Sequence, residues 1–303
     1  MLYINKNKLE HMIKLHKHSE VVDTILRVVD ERLFDVVRND KMGWTSIMAK
    51  GGGVRPALCV HTDTVGNTHP EKIQKDGDVW RNSDKSKLLG ADDRAGCYIV
   101  KELLTRNNTG YHYLIFDWEE VGGIGSSNYS RTPTALSNTE RTSCFIGLDR
   151  LGVLEMALYG FESKTFTDSV AMENWVFTGG SFTDASNLAG DLNRCCINMS
   201  VGYKDEHTER ECLNLSYLGV TLNQLSNGLN GELYCDIFEP DYEYYHDLIA
   251  EDDYSYFDYL DDKYYDEHYN VTGRDGDKVP VSDIGDENLD HIPADYWEGK
   301  DLT

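Results

Sequence analysis

The stretch PALCVHTDTV, residues 56–65, is apolar at every position from Ala57 to Val60 and then stops on His61, Thr62 and Asp63. Apolar residues at consecutive rather than alternate positions suit a strand covered on both faces, as the inner strands of a parallel sheet are. Such a strand delivers a histidine and a carboxylate together to one edge of the sheet.

The neighbouring segments support this reading. RLFDVVRND and GWTSIMAKG, upstream, read as short strands bounded by Gly, Asp and Asn. Residues 8–33 carry a helical apolar stripe through Met12, Ile13, Val21, Val22, Ile25, Leu26, Val28 and Val29, so one or two helices open the chain. Downstream, EKIQKDGDVWRN predicts a hairpin, RAGCYIVKELLTR a helix and YHYLIFDW a strand. EEVGGIGS turns into another helix, TSCFIGLD and VLEMALYG are strands, and SFTDASNLAG is a short helix. RCCINMSVGY is a last buried strand, and ECLNLSYLGVTLNQLSNGL closes the body as an amphipathic helix. Alternating strands and helices predict an α/β domain of three αβα layers around a mostly parallel, mixed sheet. In such sheets ligands lie beyond the carboxyl ends of the strands.

The polar residues cluster at those ends. His61 and Asp63 follow one strand; Asp117, Glu119 and Glu120 follow a second; Asp149 ends a third; and His207 lies past a fourth. Asp92 and Asp93, in LLGADDRAGCYIV (residues 88–100), open a helix at the same rim. An acidic pair there can serve the helix dipole and cap, or bind a metal. Carboxylates and imidazoles gathered where a buried sheet ends lose hydration without compensation unless a cation joins them.

Taken in order, VHTDTV, LGADDRAG, DWEEVGGIGS, IGLD and SVGYKDEHT resemble the motifs of the co-catalytic zinc exopeptidases, the clan of peptidase T, the succinyl-diaminopimelate desuccinylases and bacterial zinc aminopeptidases. The resemblance implies two divalent ions, with His61, Asp93 and Asp149 on one and Asp93, Glu120 and His207 on the other. It makes Asp93 the bridging carboxylate and Asp92 a shaping residue. Asp63 would hold the His61 imidazole, and Glu119 would be the general base. Zinc suits these ligands, and cobalt or manganese can occupy the same sites. Only 58 residues separate Asp149 from His207, too few for the lid or dimerisation domain that many relatives insert there. Without a lid, Asp184 becomes a candidate to grip a substrate amine, or else a helix N-cap.

The chain of 303 residues has a formal net charge of −24, unevenly placed. Residues 236–303 hold 22 Asp and Glu against 4 Lys and Arg, a charge of −18, which leaves −6 for residues 1–235. The expected organisation is therefore a catalytic domain over 1–235 and an acidic, Tyr-rich extension over 236–303. The extension's composition favours disorder, although its many tyrosines allow partial folding or docking, and its use is solubility, a basic protein partner or mimicry of nucleic acid. The 7 cysteines lie mostly in apolar runs, which suits reduced thiols, and no apolar stretch reaches membrane-spanning length. The expectation is a soluble cytoplasmic protein with no nucleic-acid or membrane partner.

The expected activity is metal-dependent hydrolysis of an amide bond, by an exopeptidase of aminopeptidase or dipeptidase type acting on peptides. A deacylase of N-acyl amino acids uses the same chemistry. A non-catalytic binding protein is a third possibility, against which the retained base Glu119 weighs.

Overall fold

The computed structural model describes residues 3–66 and 70–229, and the backbone of 270–272 and 278–280. The chain divides into two compact units, 1–250 and 251–303. The expected boundary after residue 235, and the character of the acidic extension, lie outside the described residues. In the second unit β13 (Asn270–Thr272) pairs antiparallel with β14 (Lys278–Pro280).

In the first unit the quoted stretch is β3 (Arg55–His61), with parallel neighbours on both sides. One is β6 (His112–Phe116), the other β7 (Thr142–Arg150), and beyond β7 lies β10 (Cys195–Ser200), also parallel. Two antiparallel strands extend the sheet past β6: β2 (Trp44–Ala49), then β1 (Phe34–Asn39). Past β10 come the antiparallel β8 (Glu155–Leu158) and then β9 (Val176–Gly179). The eight-stranded sheet thus runs β1-β2-β6-β3-β7-β10-β8-β9. Its four parallel strands end along one edge, which is where the polar residues converge.

Helices cover both faces. α1 (Lys6–Ile13), α2 (His18–Leu26), α3 (Ala91–Thr105) and α8 (Leu215–Asn227) form one layer, with α3 packed on β3 and β7. α4 (Ile124–Ser130), α5 (Pro133–Thr139) and α7 (Asp184–Leu192) form the other. The strand residues divide between them with the period of two that a pleated strand imposes. Ala57 and Cys59 of β3, with Leu114 and Phe116 of β6, join the core under α4 and α7, packed on Tyr129, Leu188 and Ala189. Leu58 and Val60 are buried as well, which accounts for the unbroken apolar run.

A second, antiparallel sheet, β11-β12-β5-β4, stands apart from the first. The expected hairpin is β4 (Ile73–Asp76) and β5 (Val79–Asn82), turning at Gly77 with a φ of 60°. β11 (Tyr203–Lys204) and β12 (Cys212–Asn214) complete it. The helix expected over 211–229 therefore begins later: Cys212 pairs with Arg81, and the Asn214 side chain accepts from Ser216 N and Tyr217 N to start α8. Also beyond the expected elements are α5, the seven-residue α6 (Lys164–Val170) and the edge strand β9, each too short for a periodic signal. The six described cysteines are all buried.

Candidate metal centre

His61, at the end of β3, sits almost wholly inside at 2 % exposure. Its Nδ1 faces Asp63, 3.1 Å from the main-chain oxygen and 3.4 Å from Oδ1. A proton on Nδ1 donates there, which leaves Nε2 with its lone pair directed the other way. Nε2 lies 3.1 Å from Asp92 Oδ1 and 3.3 Å from Asp149 Oδ1. The second imidazole, His207, stands in the turn after β11 with a φ of 57°. Its Nε2 lies 3.0 Å from Asp92 Oδ2 and 3.0 Å from Glu120 Oε2.

The carboxylate between the two histidines is thus that of Asp92, one oxygen toward each. This differs from the expectation, which gave the bridging position to Asp93. Asp93 is completely buried, and its oxygens accept backbone N–H groups instead: Gly96 N on Oδ1 at 2.9 Å and His61 N on Oδ2 at 3.3 Å. Asp92 (φ −78°, ψ 113°) and Asp93 (φ −109°, ψ 39°) both lie outside helical geometry, so the regular turns of α3 begin after them. A bond from Asp93 to the N–H three residues on is the N-cap arrangement. Asp93 still brings one oxygen within 4.8 Å of ligand atoms of His61 and Asp149.

Asp63 couples two strand ends. Its Oδ1 accepts from Glu119 N and its Oδ2 from Glu120 N, each at 3.1 Å. Two successive N–H groups converge on one carboxylate after Trp118, whose φ of 65° turns the chain there. Asp149 accepts the Tyr203 hydroxyl on Oδ1 at 3.0 Å and the Thr183 hydroxyl on Oδ2 at 3.4 Å. Asp92, Glu119, Glu120, Asp149 and His207 all line one open cavity of about 300 Å³.

Charge in this pocket is out of balance. Burial pushes Asp149 up to about 7, and the negative charge of Asp92 adds to the effect. Burial also raises Glu119 and Glu120, and it raises Asp93, with Asp149 beside it. The hydrogen bonds that its imidazole donates to Asp92 and Glu120 lift His207 to about 11. Carboxylates crowded and buried in this way hold one another's pKa up, and a cation beside them has the opposite effect. Three groups, namely His61, Asp93 and Asp149; His61, Glu119 and Glu120; and Asp92, Glu120 and His207, each converge their ligand atoms within 4.8 Å. Nitrogen and carboxylate oxygen donors at this spacing fit borderline divalent metals such as zinc.

Sequence reasoning missed Glu211. Its carboxylate, 2 % exposed, accepts four consecutive N–H groups: Leu89 and Gly90 on Oε2 at 2.8 and 2.7 Å, Ala91 and Asp92 on Oε1 at 2.7 and 3.1 Å. It fixes the turn that presents Asp92. Nothing local marks it, because its partners lie some 120 positions earlier in the chain. Asp184 also differs from its expected use. Thr183 is the N-cap of α7, and Asp184 is buried away from the cavity lining, where burial pushes it up to about 8.

The sequence matches no protein-family profile and no curated protein. The fold does match solved structures. The aminopeptidase PepT of Bacillus cereus superposes with a TM-score of 0.55 at 14% identity, covering 74% of this chain and 96% of its own. A tripeptidase of Staphylococcus aureus gives 0.57 at 12%, covering 74% and 96%. A TET peptidase of Pyrococcus horikoshii gives 0.52 at 15%, covering 75% and 99%. The chain therefore has the zinc-exopeptidase-like fold, with a candidate metal site at the carboxyl ends of its parallel strands.

Proposed function

We propose that the protein is a dinuclear metallohydrolase that cleaves amide bonds of peptides near a free terminus. The observation that carries this reading is the span of Asp92 between His61 and His207, each oxygen 3.0 to 3.1 Å from one imidazole nitrogen. His61, Asp92 and Asp149 would hold one divalent ion, and Asp92, Glu120 and His207 the other, with Asp92 taking the bridging place first given to Asp93. Two such ions supply a water of lowered pKa and polarisation of the substrate carbonyl.

The chain's own groups do the rest. Glu119 lines the cavity beside Glu120 but is not needed as a ligand, so it is free to take the proton of the attacking water and return it to the leaving amine. Asp63 holds the His61 Nδ1 proton and, through the two N–H groups it accepts, fixes Glu119 and Glu120 relative to His61. The buried Asp93 and Glu211 set the turn from which Asp92 projects.

The test uses the full chain loaded with zinc, assayed on aminoacyl-anilides, di- and tripeptides and N-acyl amino acids. Hydrolysis of the peptides is expected, with about two zinc ions per chain by elemental analysis. Glu119→Gln should keep both ions and lose at least about a hundredfold in turnover. A chain that retains no zinc and cleaves none of the panel overturns the reading, and cleavage confined to N-acyl amino acids replaces it with a deacylase.

A further inference from the structure

Carboxylates dominate the lining of the cavity, with Asp92, Glu119, Glu120, Asp149 and Glu206 all facing it. Arg150 is the one Arg or Lys among the lining residues. A guanidinium offers five N–H donors in a planar fork. Here the fork is little used. Nε is buried with no partner among the described residues, and Nη2 makes a single long contact of 3.4 Å to Glu155 Oε2. That is not the paired geometry in which Arg and a carboxylate satisfy one another. A buried N–H left unpaired is costly, and such groups call for an explanation.

The position of Arg150 supplies one. It follows Asp149 directly at the end of β7, so its Cα lies about 3.8 Å from that of a residue assigned to the metal centre. Both residues line the same cavity, so an anion resting on the guanidinium would share that cavity with a carbonyl poised at the centre. A planar carboxylate matches the fork, with two oxygens for two of its N–H groups.

We infer that Arg150 is a specificity residue that anchors a carboxylate of the substrate, so that the preferred substrates carry a free carboxylate close to the scissile bond. This inference rests on the proposed amide hydrolysis at the neighbouring centre. The carboxylate is either the terminal group of a short peptide or an acidic side chain. Both present the same two oxygens to the fork, and the choice of ligands below separates them.

Binding is measured by calorimetry on the zinc-loaded, full-length Glu119→Gln chain, which holds peptides without turning them over. Leu-Leu is compared with Leu-Leu-amide, and Leu-Glu-amide with Leu-Gln-amide. Arg150→Met in that background should weaken the carboxylate-bearing ligand by roughly tenfold to a hundredfold, the loss expected for a charged hydrogen-bonded pair. The matching amide should bind as before, with zinc content unchanged. An effect on Leu-Leu alone assigns the terminal carboxylate, and an effect on Leu-Glu-amide assigns the side chain. Arg150→Lys should recover part of the loss, and Glu155→Gln should leave carboxylate binding intact or tighter. If Arg150 serves only the fold through Glu155, then Arg150→Met and Glu155→Gln lower thermal stability alike and weaken acids and amides equally, which overturns the inference. Turnover by the parent chain that is indifferent to Arg150 also overturns it while sparing the proposed function. Arg150-dependent binding in a chain that cleaves nothing does the reverse.

Discussion

Glu211 is the residue on which the candidate centre leans most heavily without touching it. Replacing it with Gln keeps the size but turns one of the two accepting oxygens into an NH2 group. The N–H pair on that side, Leu89 with Gly90 or Ala91 with Asp92, would then face a donor. Each buried donor stranded in this way costs about 1–3 kcal/mol. Two of them predict a loss of about 4 kcal/mol. For a unit of this size, 1 kcal/mol moves the melting midpoint by about 2–4 °C, so a fall of roughly 8–16 °C is expected.

The loss should also reach the metal, because the strained turn is the one that presents Asp92. Thermal unfolding of the zinc-free chain isolates the first effect, and zinc titration followed by calorimetry reads the second. Weakening of zinc by at least about tenfold is expected for every 1.4 kcal/mol by which the turn is displaced from its ligating position. Glu211→Asp should fare no better, since a shorter side chain cannot serve both pairs. If Glu211→Gln melts within about 1 °C of the parent and binds zinc equally well, the carboxylate is not what holds the turn, and the reasoning from four short N–H contacts is wrong.

Three further outcomes follow from other contacts. Asp92→Asn should lower zinc content from about two ions toward one or none with the fold retained, whereas Asp93→Asn should keep zinc and cost about 1–3 kcal/mol of stability, because the amide can accept only one of the two buried N–H groups that Asp93 serves; elemental analysis and denaturant unfolding give the two readings, and the reverse pattern would return the bridge to Asp93. Gly96→Ala would place a Cβ 2.4 Å from both Leu148 O and Asp93 Oδ1, and neither can retreat, so destabilisation at the upper end of the 1–3 kcal/mol range for overpacking is expected in urea unfolding. Burial pushes His112 down to about 4, its Nδ1 accepting from Ala49 N and its Nε2 donating to Arg141 O. The unfolded chain then binds the extra proton between about pH 6.5 and 4, so this stabilisation is complete above pH 6.5 and is lost on acidification. About 2 kcal/mol should be gone by pH 5, and His112→Gln should lack that part of the slope in denaturant titrations at pH 7 and 5.

What the sequence made legible was governed by local rules. The consecutive apolar run into His61 marks a strand buried on both faces, and β3 lies between two parallel neighbours as that pattern requires. Asp149, Glu119 and Glu120 follow apolar runs in the same way, so the common direction of these strand ends could be read before the structure, whereas the order of strands in the sheet could not. Contacts made across the chain could not. Glu211 reaches back some 120 positions, Tyr203 crosses 54 to Asp149, and the three residues of β12 take their conformation from Arg81 and Trp80 in β5 rather than from their own sequence. Short elements at the edge, such as α6 and β9, have too few residues for a period to show.

The aspartate doublet marks where local reading reaches its limit. Two adjacent carboxylates before a helix invite two explanations, a cap and a metal bridge; Asp93 makes the cap contact, and Asp92 lies between the two imidazoles, where the bridge is proposed. Which residue does which depends on where the helix begins, and a sequence cannot fix a helix start to within one residue. With the regular turns beginning after Asp93, that residue stands three before Gly96, whose N–H it accepts, and Gly96 is small enough to let α3 approach Leu148 with the carboxylate between them. Asp93 is thereby committed to the backbone on both oxygens. Asp92, one position earlier, is carried by the Glu211-bound turn to the cavity, where both its oxygens meet imidazole nitrogens. The cap is thus what aims Asp92: with the helix starting one residue earlier, Asp92 would take the backbone contact and the two histidines would have no carboxylate between them.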